Sequence, residues 1–246
     1  MIKINKLPRP TELTDQLVME LTNEYKKTGK SVWKKTFIEN ALLTSSHSKC
    51  AYCECKLNVE SKYMEVEHYQ DKNSFPDLVV EWKNLLPSCK RCNGRKHGHN
   101  TIEDPIINPA TMEPREHLTM KYYRLHGKTS VGKETIDVLV LNDTRKVVQP
   151  RFDISQLVHE KIEVLCDKCK SYVSGERTTR LRNRIVQTTK NILEEASPQA
   201  EYAASVATDI MCDSNFTEII DILKLEGLWD QELDDLFRVA STLSLL

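Results

Sequence analysis

Apolar positions recur at helical spacing near both ends of this chain and alternate strand-fashion only in its middle. Leu13, Leu17, Leu21 and Tyr25 share one helical face, and Gly29 supplies the stop. A second helix is predicted from about Ser31, with Trp33, Phe37, Ile38, Ala41 and Leu42 on one side. Pro8 and Pro10 forbid helix before them, so residues 1–10 read as an irregular arm, with Thr11 available as a cap. An exposed arm over Lys3–Arg9 would suit docking onto a partner. Tyr63–Tyr69 alternates as a strand that ends in His68, and Gln70–Pro76 reads as loop. Trp82, Leu85 and Leu86 are core anchors, and Pro87 prepares a turn. Pro105, Pro109 and Pro114 mark an ordered meander over 100–118, after which Lys121–Leu125 is strand-like and His126-Gly127-Lys128 a turn. Ile136, Leu139 and Val140 form a short helical face that stops at Asn142.

From about Phe152 the pattern is helical. Ile154, Leu157, Val158, Ile162, Leu165 and Cys169 line one face as far as Gly175, which makes Cys166 and Cys169 core residues rather than a metal pair. Leu181, Ile185, Ile192 and Leu193 mark another helix. Ser197-Pro198 offers a cap and a first helical residue for the next, which Tyr202, Val206 and Ile210 continue. Two further faces run through Ile219, Ile220 and Leu223, then Leu233, Leu236, Phe237 and Ala240. Three parts follow: an arm and helical hairpin over 1–48, a core with a following α/β segment over 49–150, and a helical domain over 151–246 suited to assembly. No internal repeat is visible.

Composition narrows the class. The 246 residues are 39% hydrophobic and 29% charged, as in soluble globular proteins. No run is long enough to span a bilayer, and MIKINKLPRP lacks the apolar core of a signal peptide, so a cytoplasmic protein is expected. Eight cysteines in that compartment are metal ligands or buried thiols rather than disulfides. The net charge of −1 hides a segregation. Trp82–Ile102 and Arg177–Lys190 each hold five basic residues and no acid, whereas Glu194–Asp235 holds twelve acids against one Lys. The first basic stretch suits a phosphate backbone; the second suits either that or a solvated helix face. The acidic stretch must face away from nucleic acid or toward a basic partner.

The chemistry concentrates between Cys50 and His99. Two Cys-x-x-Cys pairs, Cys50/Cys53 and Cys89/Cys92, stand 35 residues apart and make a closed tetrahedral set for structural zinc. Cys55 is a nearby spare thiol that could replace Cys53. Between and just beyond the pairs lie Glu67, His68, Asn84, Asn93 and Lys96. Phosphodiester cleavage needs a nucleophile near neutral pH, a cation on the scissile phosphate and charge neutralisation. His68 is the natural general base. Glu67 and Asn93 are hard oxygen ligands for Mg²⁺ or Mn²⁺. Glu67 and His68 point to opposite faces of an extended segment, so the strand must be kinked if both serve one site. Asn84 can tie down loop backbone and orient His68. Asn93-Gly94 reads as a tight turn, and Lys90, Arg91, Arg95 and Lys96 are placed to bind nucleic acid, with Lys96 acting in catalysis.

This order of parts resembles the HNH endonucleases with their ββα-metal fold. The resemblance implies His68 as base, Glu67 and Asn93 as ligands of one divalent cation, and Asn84 as brace, with His97 and His99 as alternative ligands. Glu67 stands where Asp is more usual, and Asn93 where the family has a final His. The fold class expected is α+β: a zinc-clamped ββα-metal core with an N-terminal helical hairpin and a mainly helical C-terminal region. Met64–Lys72, Phe75-Pro76, Trp82–Leu85, Cys89–Lys96, Asp104-Pro105 and the Thr135–Asn142 run ahead of Arg151 are similar to one branch, the PtuB nuclease subunits of Septu-type and retron-associated anti-phage systems. Gln70-Asp71-Lys72 departs from that branch's Arg-Pro-Lys. The likeness implies an ABC-type ATPase partner, in some systems a reverse transcriptase with its RNA–DNA product (msDNA), and DNA or tRNA as target. A stand-alone restriction-type HNH nuclease and a non-catalytic zinc protein that binds nucleic acid are the competing readings.

Overall fold

A computed structural model describes residues 1–59 and 63–246 as two compact units. The first comprises Met1–Leu118 and Leu125–Asn142; the second comprises Thr119–Arg124 and Asp143–Leu246. The fold is α-rich, with small two-stranded sheets.

The first unit opens on an arm anchored through alternate residues, with Lys3, Asn5, Leu7, Pro8 and Arg9 exposed. Ile2 and Ile4 are buried, the Ile4 amide donates to Pro109 O at 2.8 Å, and the Lys6 ammonium donates to the Trp82 and Leu85 carbonyls. Two apolar side chains and a cation placed over the Trp82 ring hold the arm to its own unit, so it is ordered rather than loose. Helix α1 spans Asp15–Thr28, capped by Thr14 rather than Thr11, and Gly29 ends it at φ 67°, where a side chain would be strained. Helix α2 starts late, at Thr36–Ser45. Residues 31–35 form a turn instead, which brings the Trp33 ring edge-on to Tyr25 at 5.8 Å.

Strands β1 (Met64–His68) and β2 (Leu85–Cys89) pair antiparallel from Met64↔Cys89 to His68↔Leu85. Helix α3 (Lys90–Lys96) follows at once and packs on both strands. Leu21, Ile38, Leu42, Val66, Val79 and Leu85 join the two N-terminal helices to this sheet in one apolar core. Truncating a side chain such as Leu42, wholly buried there, would cost about 2–5 kcal/mol. Asn93 and Gly94 lie inside α3 rather than in the expected turn, because the Cys89 thiol caps the helix by accepting from Cys92 N at 3.4 Å. A four-residue helix, α4 (Pro114–His117), leads to the hairpin β3 (Leu118–Lys121) and β4 (Arg124–Gly127). The hairpin turns at Tyr122 and Tyr123, both at positive φ, not at the predicted 126–128. Its register is pinned by Asn142, whose side chain bonds both the N–H and the carbonyl of Leu125 at 2.8 Å, as a neighbouring strand would. Helix α5 (Ser130–Val138) crosses the His117 carbonyl at Gly132, where a Cβ would meet that oxygen at 2.1 Å.

The second unit is built from α6 (Gln149–Val173), α7 (Thr179–Glu194), α8 (Ala203–Cys212), α9 (Ser214–Leu225) and α10 (Gln231–Leu243). Val158, Ile162, Leu165, Ile192, Phe216 and Ile219 are among its core residues, together with Cys166 and Cys169, as the helical pattern requires. Helix α8 begins later than Ser197-Pro198 predicts, because turns run to Tyr202, which is buried at φ 52°. No helix among the described residues is long and apolar enough to cross a membrane.

Candidate active site and metal centre

The two cysteine pairs meet through local backbone, not through long-range folding alone. Lys49 and Lys56 bridge around the first knuckle, Glu54 turns at φ 66°, and the Cys50 amide donates to Cys55 O at 2.9 Å. The second knuckle is the junction of β2 with α3. All four thiols of Cys50, Cys53, Cys89 and Cys92 are buried and lie within 4.8 Å of one another. Ligands about 2.3 Å from a tetrahedral zinc stand about 3.8 Å apart. Cys53 Sγ and Cys89 Sγ are 3.8 Å apart, so this donor set can hold a structural metal such as zinc. Cys55 is buried beside the group but is not among the four converging thiols.

Helix α3 and strand β1 face each other in matched register. Positions 93 and 96 share a helical face, and positions 65 and 67 share a strand face. Asn93 Nδ2 donates to Glu65 Oε2 at 2.7 Å, while Lys96 Nζ lies 2.7 Å from Glu67 Oε1 and donates to His68 O at 2.8 Å. Glu67 and Lys96 are both buried. Burial pushes the Glu67 carboxyl up to about 7, against the pull of the Lys96 ammonium. The nearest partner of Asn93 is therefore Glu65, a residue the motif reading passed over. Period-two alternation along Met64–His68 was the signal that sets Glu65 beside Glu67.

The ladder runs through Glu67 and His68 without a bulge, so the two side chains do lie on opposite faces. His68 packs edge-on against Trp33, with ring centroids 4.7 Å apart, and its Nε2 bonds Val79 O at 2.8 Å. Burial lowers its pKa to about 4, with the Val79 bond opposing and Lys72, Lys96 and Asp71 acting on it electrostatically. Asn84 fastens the intervening loop at both ends. Its Oδ1 accepts from Gln70 N at 2.7 Å, and its Nδ2 donates to Gln70 O at 3.0 Å and Leu78 O at 3.1 Å. The loop that supplies the Val79 carbonyl is thus held by one amide.

Above these residues is a polar cleft of about 270 Å³ lined by Glu65, Asp71, Lys72, Asn73, Lys90, Asn93, Gly94 and His97. His99 turns away and bonds Asp104 O at 2.7 Å. Of the four cations expected at a phosphate backbone, Lys90 and Arg95 are exposed. Arg91 is committed to the Leu139 and Val140 carbonyls, and Lys96 is enclosed by its bonds to Glu67 and His68 O, so neither is placed to reach a phosphate backbone.

What these residues assemble is a thiol-clamped strand–strand–helix module carrying an imidazole, carboxylates and an amide, joined in sequence to a helical unit. The chain belongs to the Septu PtuB family. It is 42% identical to Septu protein PtuB of Bacillus thuringiensis, over 94% of this chain and 90% of that protein. It is 28% identical to Septu protein PtuB of Bacillus mycoides strain KBAB4, over 78% of this chain and 80% of that one. No family model matches the chain, and no solved structure does.

Proposed function

We propose that this protein is a metal-dependent HNH endonuclease, its β1–β2–α3 module serving as a ββα-metal core. The observation that carries the reading is the placement of His68. Nε2 faces the Val79 carbonyl, which fixes the proton on that nitrogen and leaves the Nδ1 lone pair as the base. Burial keeps the ring neutral at working pH. In this scheme Nδ1 takes a proton from a water whose oxygen bonds to phosphorus as the bond to the leaving sugar oxygen breaks. Asn84 acts as a positioning residue through the loop that carries Val79. Oxygen atoms of Glu65 and Asn93, which line the cleft, would hold Mg²⁺ or Mn²⁺, hard donors that fit such a cation, whereas Glu67 is enclosed with Lys96 away from the cleft. When bound, that cation would neutralise charge on the scissile phosphate. Lys90 and Arg95 contact nucleic acid from the rim, whereas Lys96 stabilises Glu67 from within.

Membership of the PtuB family supports a place in a Septu anti-phage defence complex, with a PtuA-like ABC-type ATPase as partner, in the cytoplasm. Purified wild type and His68→Ala are incubated with Mg²⁺ or Mn²⁺ and plasmid DNA or tRNA. Cleavage by the wild type, lost by at least about a hundredfold in a folded His68→Ala, is the expected result. Equal cleavage by both would remove His68 as the base, and no cleavage by the wild type would remove the nuclease reading and leave a zinc protein that binds nucleic acid. Co-purification of an ATPase separates the defence complex from a stand-alone nuclease.

A further inference from the structure

Lys72 reaches the polar cleft from the loop between β1 and β2, and no motif gave it a task. That loop is fixed on several sides. Asp71 Oδ2 accepts from Asn73 N at 3.0 Å and from Ser74 N at 3.2 Å, closing the turn that carries Lys72. From α1, the Tyr25 hydroxyl donates to Asn73 Oδ1 at 3.2 Å, and the Lys26 ammonium pairs with Asp77. The Lys72 ammonium stands over the Trp33 ring, 5.5 Å from its centroid. The same ring meets the His68 imidazole edge-on at 4.7 Å. Trp33, which comes from outside the strand–strand–helix module, thus supports a cation and the imidazole together. The Lys72 charge is felt at both His68 and Glu67, though burial acts more strongly on each.

Lys72 is half-buried, and among the described residues it forms no ion pair. An ammonium held by an aromatic face keeps its full charge and its N–H donors. The cleft needs such a charge. Glu65 and Asp71 line it as well, and two carboxylates repel a phosphate unless cations offset them. Lys96 and Arg91 are committed elsewhere, and Lys90 is the other lysine of the cleft wall. We infer that Lys72 is a substrate-binding residue of this cleft, its ammonium donating to a non-bridging oxygen of the nucleic-acid phosphate, with Trp33 as the residue that positions it. This role rests on the nuclease reading and supplies, from the loop before β2, the phosphate contact that Lys96 cannot make.

Salt titration separates this contact from the nuclease reading itself. Labelled duplex DNA and labelled tRNA are each titrated, at several salt concentrations, with the full chain as wild type, Lys72→Met and Lys72→Arg. Cleavage of plasmid DNA and tRNA is followed in parallel with Mg²⁺ or Mn²⁺. Methionine keeps an apolar stem on Trp33 and removes the charge. Lys72→Met should bind about tenfold more weakly or worse, the scale of one charge-assisted bond. Its plot of log affinity against log salt should be shallower, by about 0.9 on duplex DNA, as one lost phosphate contact requires. Cleavage should fall with binding, and Lys72→Arg should recover most of both. A wild type that binds without cutting, with the shallower slope still seen in Lys72→Met, would sink the nuclease reading and keep the contact. An unchanged slope in Lys72→Met, a loss that Lys72→Arg does not recover, or a wild type that binds neither probe would overturn the inference.

Discussion

The Lys96 ammonium lies 2.7 Å from the Glu67 carboxylate, and both side chains are shut off from water. A pair of this kind is sensitive to the loss of one member, because the survivor keeps its desolvation cost without its counter-charge. Lys96→Met is expected to destabilise the first unit by about 3–5 kcal/mol, read from urea unfolding. Adding Glu67→Leu should return much of that loss. A single variant as stable as the wild type would show that Glu67 is protonated in the native state.

The imidazole of His68 should not titrate where free histidine does. Its pKa is about 4 in the fold against an ordinary 6.5, so between these values the unfolded chain binds the proton and the native chain does not. This group's contribution to stability is full above pH 6.5 and is lost as the pH falls toward 4. Ring NMR signals that stay constant from pH 8 to pH 5 are the expected record; a midpoint near 6.5 would contradict it.

The thiol cluster predicts one zinc per chain by elemental analysis. Replacing Cys53 or Cys89 by Ser should release the metal and unfold the knuckles, whereas Cys55→Ser should keep it. Chelation should lower the Tm of the first unit, since site formation and folding are coupled. Retention of zinc by Cys53→Ser with its loss from Cys55→Ser would exchange the two ligands.

Asn84→Ala removes three hydrogen bonds and strands buried loop groups, at a cost of about 2–3 kcal/mol. Because the loop carries the Val79 carbonyl, cleavage should also fall about tenfold or more with His68 intact. Substrate binding measured by anisotropy should hardly change. An unaltered rate in the folded variant would separate the loop from the imidazole.

Much of the module could be read from residue order, because its signals are local. Cys-x-x-Cys spacing fixes a knuckle whatever lies between, and the alternation before His68 fixes β1. The fates of the cations were not legible. A lysine or arginine in a basic stretch is read as solvent-facing, yet Lys96 and Arg91 are drawn inward by a carboxylate and by carbonyls far away in the chain. The arm at residues 1–10 is half legible for a related reason: its prolines exclude helix, but its anchoring is decided by Pro109, Trp82 and Leu85. Likewise the hairpin turn moves to Tyr122–Tyr123, against turn propensity, where Asn142 pins Leu125. Glu65 lay in plain view but outranked by its neighbours, since no single-residue motif marks it.

Arg91 has a mechanical consequence. It fastens α3, the helix bearing Asn93, to the carbonyls of Leu139 and Val140, just before the first unit ends at Asn142. Tension applied to the chain at that exit would be delivered through the guanidinium to the helix beside the cleft. An event transmitted along the covalent chain would then reach the cleft without any ligand entering it.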